Sequence, residues 1–445
     1  MNKRHSMIVS IAAVAAIAAT LFGSTYSQTQ VGSTYSLPKT QSELMQKIND
    51  MGGLQLQMPP AFAQIPLDQV DAMKAEGRNV VEFNVEGKSA ELPIMGGGTY
   101  HAMTFSGQVP GPTLRVTQGD IVKMTLTVAA DEPTPHGNDM HASQMTAVPS
   151  FGAVKPGESK TYAYIAQVPG TFKYHCSGVN VAAMDQHVLS GMYGMTIVDP
   201  LNGYNKLMVE KTKVDNGQVV KDRILYDPAA LEFTLQYNQL YLDDKGNYDQ
   251  SKMFMHHQTA TVVNGMQFGY VPNADHNKLI NKDENKNIFV VQPWNSADLK
   301  QYQSQLIFVP TGTHTRWFIE NQGNEPVFFH IVGEIIDRMM QGNRVQAQGT
   351  ETWLIGGSQG AIADVVFDEP GAYVAVNHDY AAIFTGAATV IIAGDPFGLG
   401  YKPGDMPNPS DAVPPMGKDS MAQKLVLHGL YTDARAAEIA AMIKG

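Results

Sequence analysis

GTFKYHCSGVNVAAMDQHVLSGM, residues 170–192, holds the only cysteine in a chain of 445 residues, Cys176. Gly170, with Pro169 just before the stretch, makes a Pro-Gly turn; an aromatic and an alternating strand follow, and the strand ends on a histidine, His175. The same grammar returns in EPGAYVAVNH, residues 369–378. Each copy is preceded by similar text, VKPGESKTYAYIAQVPG in the first and SQGAIADVVFDEPG in the second. A repeat of about 200 residues is far longer than a solenoid period and reads as duplication of one β-domain.

Outward from the repeat, the chain is written in short β-branched pieces between Gly and Pro turns. VVEFNV, TYHAMTF, LRVTQGD, IVKMTLTV and KTYAYIAQV come before residue 200; LEFTLQYNQLYL, TATVVNG, QLIFVP, RWFIEN, ETWLIG and ADVVFDEPG follow it. Such spacing predicts an all-β chain of two antiparallel sandwich domains, over residues 78–200 and 201–395. Residues 29–77 read as a partly helical extension, through SELMQKINDM and PLDQVDAMKAEG. Residues 396–445 read as a Pro/Gly-rich linker followed by C-terminal helices.

Residues 1–28 begin with Lys3, Arg4 and His5, continue through an apolar run over 7–22, and close on small polar residues. That is the pattern of an export signal, or of an N-terminal anchor if it stays attached, so an exported protein, tethered to a membrane in the second case, is expected. A formal net charge of −11 without a basic patch argues against nucleic-acid binding. One cysteine forms no intramolecular disulfide, which leaves a ligand, a nucleophile or an intermolecular bridge.

Among 13 histidines, strand alternation sorts the informative ones. Adjacent residues of a strand face opposite sides, so His175 and Cys176 serve different places. In TPHGNDMH, Asp139 and His141 share a face and His136 points the other way. His136 can therefore join Cys176, and His141 can join His175. His187 and Met192 follow the thiol. Two imidazoles, a thiolate and a thioether are the donors of a blue-copper electron-transfer centre. Zinc rarely takes methionine, and structural zinc prefers more thiolates. Imidazole-only ligation at the other place suits copper or zinc with an open position.

With these motifs the chain resembles the two-domain copper nitrite reductases, relatives of the multicopper oxidases. The resemblance is carried by GQVPGPTLRVTQGD, PHGNDMH, VPGTFKYHC, HVLSGMYG, FFHIVGEIIDRM, TETWLIGG and EPGAYVAVNH, over about residues 79–395. It implies two cupredoxin-type Greek-key domains in a homotrimer, with two coppers per subunit. His136, Cys176, His187 and Met192 match the type 1 ligands; His141, His175 and His378 match the type 2 ligands, His378 acting in trans. Asp139 and His330 match the catalytic pair, Val332 the aliphatic side chain over the substrate, and Glu351 and Thr352 a pair supporting His330. The implied reaction is one-electron reduction of nitrite to nitric oxide, fed by an external donor, a small cupredoxin or a cytochrome. The alternative is a related oxidoreductase acting on nitric oxide or hydroxylamine.

Two features depart from the family pattern. Cys176 and His187 are eleven positions apart, and PHGNDMH carries Gly137 and Asn138. A laccase is disfavoured, because Ser177 follows Cys176 and neither His330 nor His378 has an H-x-H partner. His256 and His257 read as a loop entering a strand. His101, His276, His314 and His428 have no evident partner. Met339, Met340, Met406 and Met416 read as packing residues.

Overall fold

The computed structural model describes residues 64–394 apart from 95–97, 146–150, 178–183, 230 and 268–305. The export signal or anchor, the helix expected at SELMQKINDM, the C-terminal helices, His276, His428, Met406, Met416 and most of the loop after Cys176 lie outside the described residues.

Residues 64–199 form β1 (Gln64–Ile65), α1 (Leu67–Ala75), β2 (Val80–Pro93), β3 (Thr99–Phe105), β4 (Leu114–Thr117), β5 (Ile121–Val128), β6 (Asp139–Met140), β7 (Ser159–Ile165), β8 (Gly170–His175), α2 (Met184–Leu189) and β9 (Tyr193–Asp199). The strands build a five-stranded sheet, β1-β7-β5-β2-β3, and a four-stranded sheet, β4-β9-β8-β6. Period-2 patterning decides the inner faces. In β2, Val81, Phe83 and Val85 are buried while Glu82 and Asn84 are exposed; in β5, Met124, Leu126 and Val128 are buried. These side chains meet Tyr164, Tyr174 and Cys176 in one core. α1 is the helix expected at PLDQVDAMKAEG. Asp68 in its first turn and Lys74 in its last complement the helix dipole, and Val70 anchors it on Ile65, Ile121 and Ala163.

A two-stranded ribbon follows, β10 (Leu207–Asp215) and β11 (Gln218–Tyr226), closed by Asn216-Gly217 with both residues at positive φ. This ribbon is a finding of the structure, absent from the reading of the sequence.

The remaining described elements are β12 (Leu231–Leu240), α3 (Gln250–Phe254), β13 (Ala260–Val263), β14 (Leu306–Val309), β15 (His314–Asn321), β16 (Val327–Val332), β17 (Ile336–Gln341), β18 (Arg344–Thr350), β19 (Thr352–Ile355), β20 (Gly360–Val366), β21 (Gly371–Asn377), α4 (Tyr380–Thr385) and β22 (Ala388–Ala393). They form a six-stranded sheet, β13-β12-β15-β20-β17-β18, and a five-stranded sheet, β14-β22-β21-β16-β19. Every residue of β15 and β20 is buried, as expected of strands covered on both faces. Phe233 stacks on Trp317 at 4.5 Å in this core, and Met339 and Met340 pack within it as expected.

The sheets are mixed rather than purely antiparallel. β2–β5, β4–β9, β12–β15 and β14–β22 pair in parallel. Cross-connections between the two sheets of each sandwich, rather than hairpins alone, produce this pairing.

The two sandwiches share a seam. Met195 and Ile197 of β9 belong to the second core, while Val198 of the same strand belongs to the first. Charges reinforce it. Arg115 grips Asp199 with two nitrogens and reaches Glu232, which also accepts from Arg316; Arg316 and Arg338 then converge on Asp364. His314, without an evident partner in the sequence, lies 3.0 Å from Asp364 and donates to Asp227 O. His101 pairs with Glu91 across β2 and β3. His256 follows α3 and contacts Glu325 at 2.7 Å.

Candidate metal centres

β8 allocates the donors. Tyr174 and Cys176 turn into the first core, while Lys173 and His175 face the seam. Lys173, buried, donates from Nζ to Gln322 O at 2.7 Å and so ties the ligand-bearing strand to the second sandwich.

On the core side, Cys176 Sγ lies 3.3 Å from His187 Nδ1 and 3.7 Å from His136 Nδ1, and the two Nδ1 atoms are 3.1 Å apart. All three residues are buried. These separations are those of donors around one small metal ion, whose bonds to nitrogen and sulfur run about 2.0–2.3 Å. The surrounding backbone stitches the set together. Cys176 N–H donates to Met192 O at 3.0 Å, and Met192 N–H donates to His187 O at 3.1 Å. His187 sits in the last turn of α2, whose Asp185 accepts from Tyr248 and Gln250 of the second sandwich. Burial, and then the charge of His136, hold His187 down at about pKa 4, so its imidazole is neutral and free to ligate.

Two glycines make room for this cluster. A Cβ on Gly87 would lie 3.1 Å from both His136 Cδ2 and Met192 Cε. Met192 therefore ends beside the His136 ring. A Cβ on Gly137 would lie 1.9 Å from Ser177 Oγ, and its N–H points at Cys176 Sγ, 3.5 Å away. Gly137 is thus required by the packing around the thiol.

On the seam side, His141 Nε2 and His175 Nε2 lie 3.0 Å apart, each 3.9 Å from Asp139 Oδ2. His175 Nδ1 is 2.8 Å from Cys176 O. Donation to that carbonyl fixes the tautomer and leaves Nε2 for a metal. Burial lowers His175 to about pKa 3, helped by the charges of Lys173 and His141, and lowers His141 to about 4, helped by Lys173. Burial raises Asp139 to about 6, with Lys173 working against it. A carboxyl near 6 beside two neutral imidazoles has the proton affinity to give up a proton close to neutral pH.

The donors of both clusters fit copper: a thiolate with two imidazoles and a nearby thioether in one, imidazoles alone in the other. Among the described residues these are the two places where three such groups converge. His378 is in neither. It stands on the second sandwich with its ring 5.2 Å from that of His330, and its N–H donates to Phe328 O. Val332 shares the outward face of β16 with His330 and is 47% exposed. Glu351 supports His330 through its backbone carbonyl, which is 2.7 Å from Nδ1, and Thr352 pairs directly opposite His330 in the β16–β19 ladder. Within a single chain the predicted residues therefore lie in two separate groups, Asp139, His141 and His175 in one and His330 and His378 in the other. Phe328 and Leu354, opposite one another in the same ladder, and Tyr380, whose ring lies 5.5 Å from that of His378, are exposed apolar neighbours of His330 and His378.

Three groups near the centres were missed by the sequence reading. Lys173, two positions before His175, was legible by strand parity. Glu132, which reaches His136, and Ser89, which holds Glu132, carry no local signal.

A family model described as multicopper oxidase matches residues 88–203. The copper-containing nitrite reductase of Pseudomonas chlororaphis is 28% identical over 308 residues, covering 67% of this chain and 74% of its own. That of Rhizobium sullae is 28% identical over 344 residues, covering 74% of this chain and 80% of its own. The solved copper nitrite reductase of Nitrosomonas europaea superposes with a TM-score of 0.55 at 27% identity, over 75% of this chain and 99% of that one. With its cupredoxin fold and its two convergent donor clusters, this chain is similar to the copper-containing nitrite reductases, which are cupredoxin-type oxidoreductases.

Proposed function

We propose that the protein reduces nitrite to nitric oxide and water, taking up one electron and two protons per turnover. The observation that carries this reading is the parity of His175 and Cys176, which supply two different clusters, one bearing a thiolate and one built from imidazoles beside a carboxyl. Copper bound in the two clusters supplies one-electron redox chemistry and, at the imidazole cluster, Lewis acidity toward nitrite oxygen. His136, Cys176, His187 and Met192 hold the type 1 ion. His141 and His175 hold the type 2 ion together with His378 from a neighbouring subunit. The His175–Cys176 peptide is the covalent path between the two clusters.

Asp139 delivers a proton to the nitrite oxygen that leaves as water. His330, oriented by the Glu351 carbonyl, supplies the second hydrogen-bonding group, and Val332 limits how the anion sits. The exposed apolar neighbours of His330 and His378 support a homotrimer in which the two groups meet. An external donor, a small cupredoxin or cytochrome, delivers electrons at the type 1 side. The basic-then-apolar start of the chain supports export.

The test is copper counting, an electron-resonance spectrum and turnover on nitrite, nitric oxide and hydroxylamine with purified protein. Two coppers per chain, one of each type, and a preference for nitrite are expected. One copper per chain, or a preference for hydroxylamine, would overturn the reading.

A further inference from the structure

Glu132 lies four residues before His136, between β5 and β6, and is only 6% exposed. It is held from one side by a single residue. Ser89 N–H donates to Oε2 and Ser89 Oγ–H to Oε1, both at 2.7 Å. Oε1 also lies 3.2 Å from His136 Nε2, at hydrogen-bond distance but off the ring N–H axis. The other nitrogen of the same ring, Nδ1, faces Cys176 Sγ and His187 Nδ1. An imidazole that binds metal through Nδ1 keeps its proton on Nε2, so the nitrogen 3.2 Å from the Glu132 carboxylate is the protonated one. Carboxylates so placed fix ring orientation and raise the basicity of the ligand. In a site closed to water, a fixed negative charge also favours the more positive oxidation state of the ion.

We propose that Glu132 is a positioning residue for the type 1 copper: through His136 it fixes the ring and holds the reduction potential down, and Ser89 keeps it in place. This rests on the copper reading above and goes beyond it, because it assigns a charge that tunes the centre.

The experiment measures the visible absorption, electron-resonance spectrum, copper content and one-electron potential of the copper-loaded protein and of Glu132→Gln and Ser89→Ala. The amide of Glu132→Gln can still accept from His136 but has lost the charge. Its centre should keep its copper and its thiolate absorption, with the oxidised-to-reduced equilibrium displaced toward the reduced form by tenfold or more, about 59 mV for one electron. Ser89→Ala keeps the charge but frees it, so it should move the potential the same way by less and perturb the spectrum. If Glu132→Gln fails to fold, the direction of the Ser89→Ala shift decides. A wild-type protein without thiolate–copper absorption refutes the copper reading itself. A normal wild-type spectrum with an unmoved potential in both variants refutes the role of Glu132 alone.

Discussion

Cys176 and His175 are joined by one peptide bond, yet their donor atoms enter different clusters. Sγ lies 3.3 Å from His187 Nδ1, and His175 Nε2 lies 3.0 Å from His141 Nε2. Replacing Cys176 with Ala should therefore abolish visible colour and donor-driven turnover while the electron-resonance signal of the type 2 ion persists. Full colour in Cys176→Ala would sink the type 1 assignment.

Asp139→Asn should lower nitrite turnover by about 100-fold or more, the usual scale of a positioned proton donor. Burial places its carboxyl near pKa 6, so the neutral, donating form is present below that value and lost above it. Wild-type turnover should fall as pH rises through about 6, and the variant should show no such limb. A pH–rate profile of both proteins decides this.

Neither His141→Ala nor His378→Ala should turn over nitrite alone. Co-expressed in one cell, they should yield mixed oligomers that regain part of the activity, because some interfaces then combine an intact His141 and His175 with an intact His378. An active monomer in sedimentation would refute the trans arrangement.

Gly87→Ala tests the space beside the His136 ring. The added methyl should shift the visible absorption and cost about 1–3 kcal/mol of stability, the range for overpacking a filled core. The type 2 signal should be untouched. A denaturation curve and a spectrum read both effects.

Asp364→Asn should destabilise the fold by about 3–5 kcal/mol, because it leaves Arg338 buried without its counter-charge and Arg316 with Glu232 alone. Burial alone would raise this carboxyl, but His314, Arg316 and Arg338 outweigh it and hold it below the ordinary value. Its folded-state pKa is thus below its unfolded one, about 3.9. The stability it contributes is full above the unfolded value and is lost as pH falls through the folded one. Urea midpoints from pH 7 down to 3 should converge for wild type and variant.

The parts of the fold that strand parity governs were legible. Alternation in TFKYHC and the spacing of PHGNDMH separate the two donor sets, and the Pro-Gly repeat marks the second sandwich. The β10–β11 ribbon was not read, although Asn216-Gly217 is a strong hairpin signal. Its strands carry charges on both faces, as in the Lys213–Asp222 and Lys221–Glu210 pairs, so no apolar alternation flanks the turn. α2 was not read in the sequence, because its six residues are too few to show helical periodicity. Glu132 was invisible because Ser89 lies 43 residues away and no local rule links the two. His101 and His314 gained partners only through sheet pairing and burial. Glu351 was expected beside His330, but it acts through its main chain, which residue identity does not encode.

The reach of Lys173 from β8 to Gln322 has a consequence for which changes of length the chain tolerates. Counting by twos from that anchor assigns His175 to the seam and Cys176 to the core. Deleting or inserting one residue between Lys173 and Cys176 would exchange the two assignments and empty both centres at once. Beyond Cys176 no such counting applies, because His187 and Met192 are re-attached by their own backbone bonds. The connection after the thiol can therefore change in length while the three residues before it stay fixed in number.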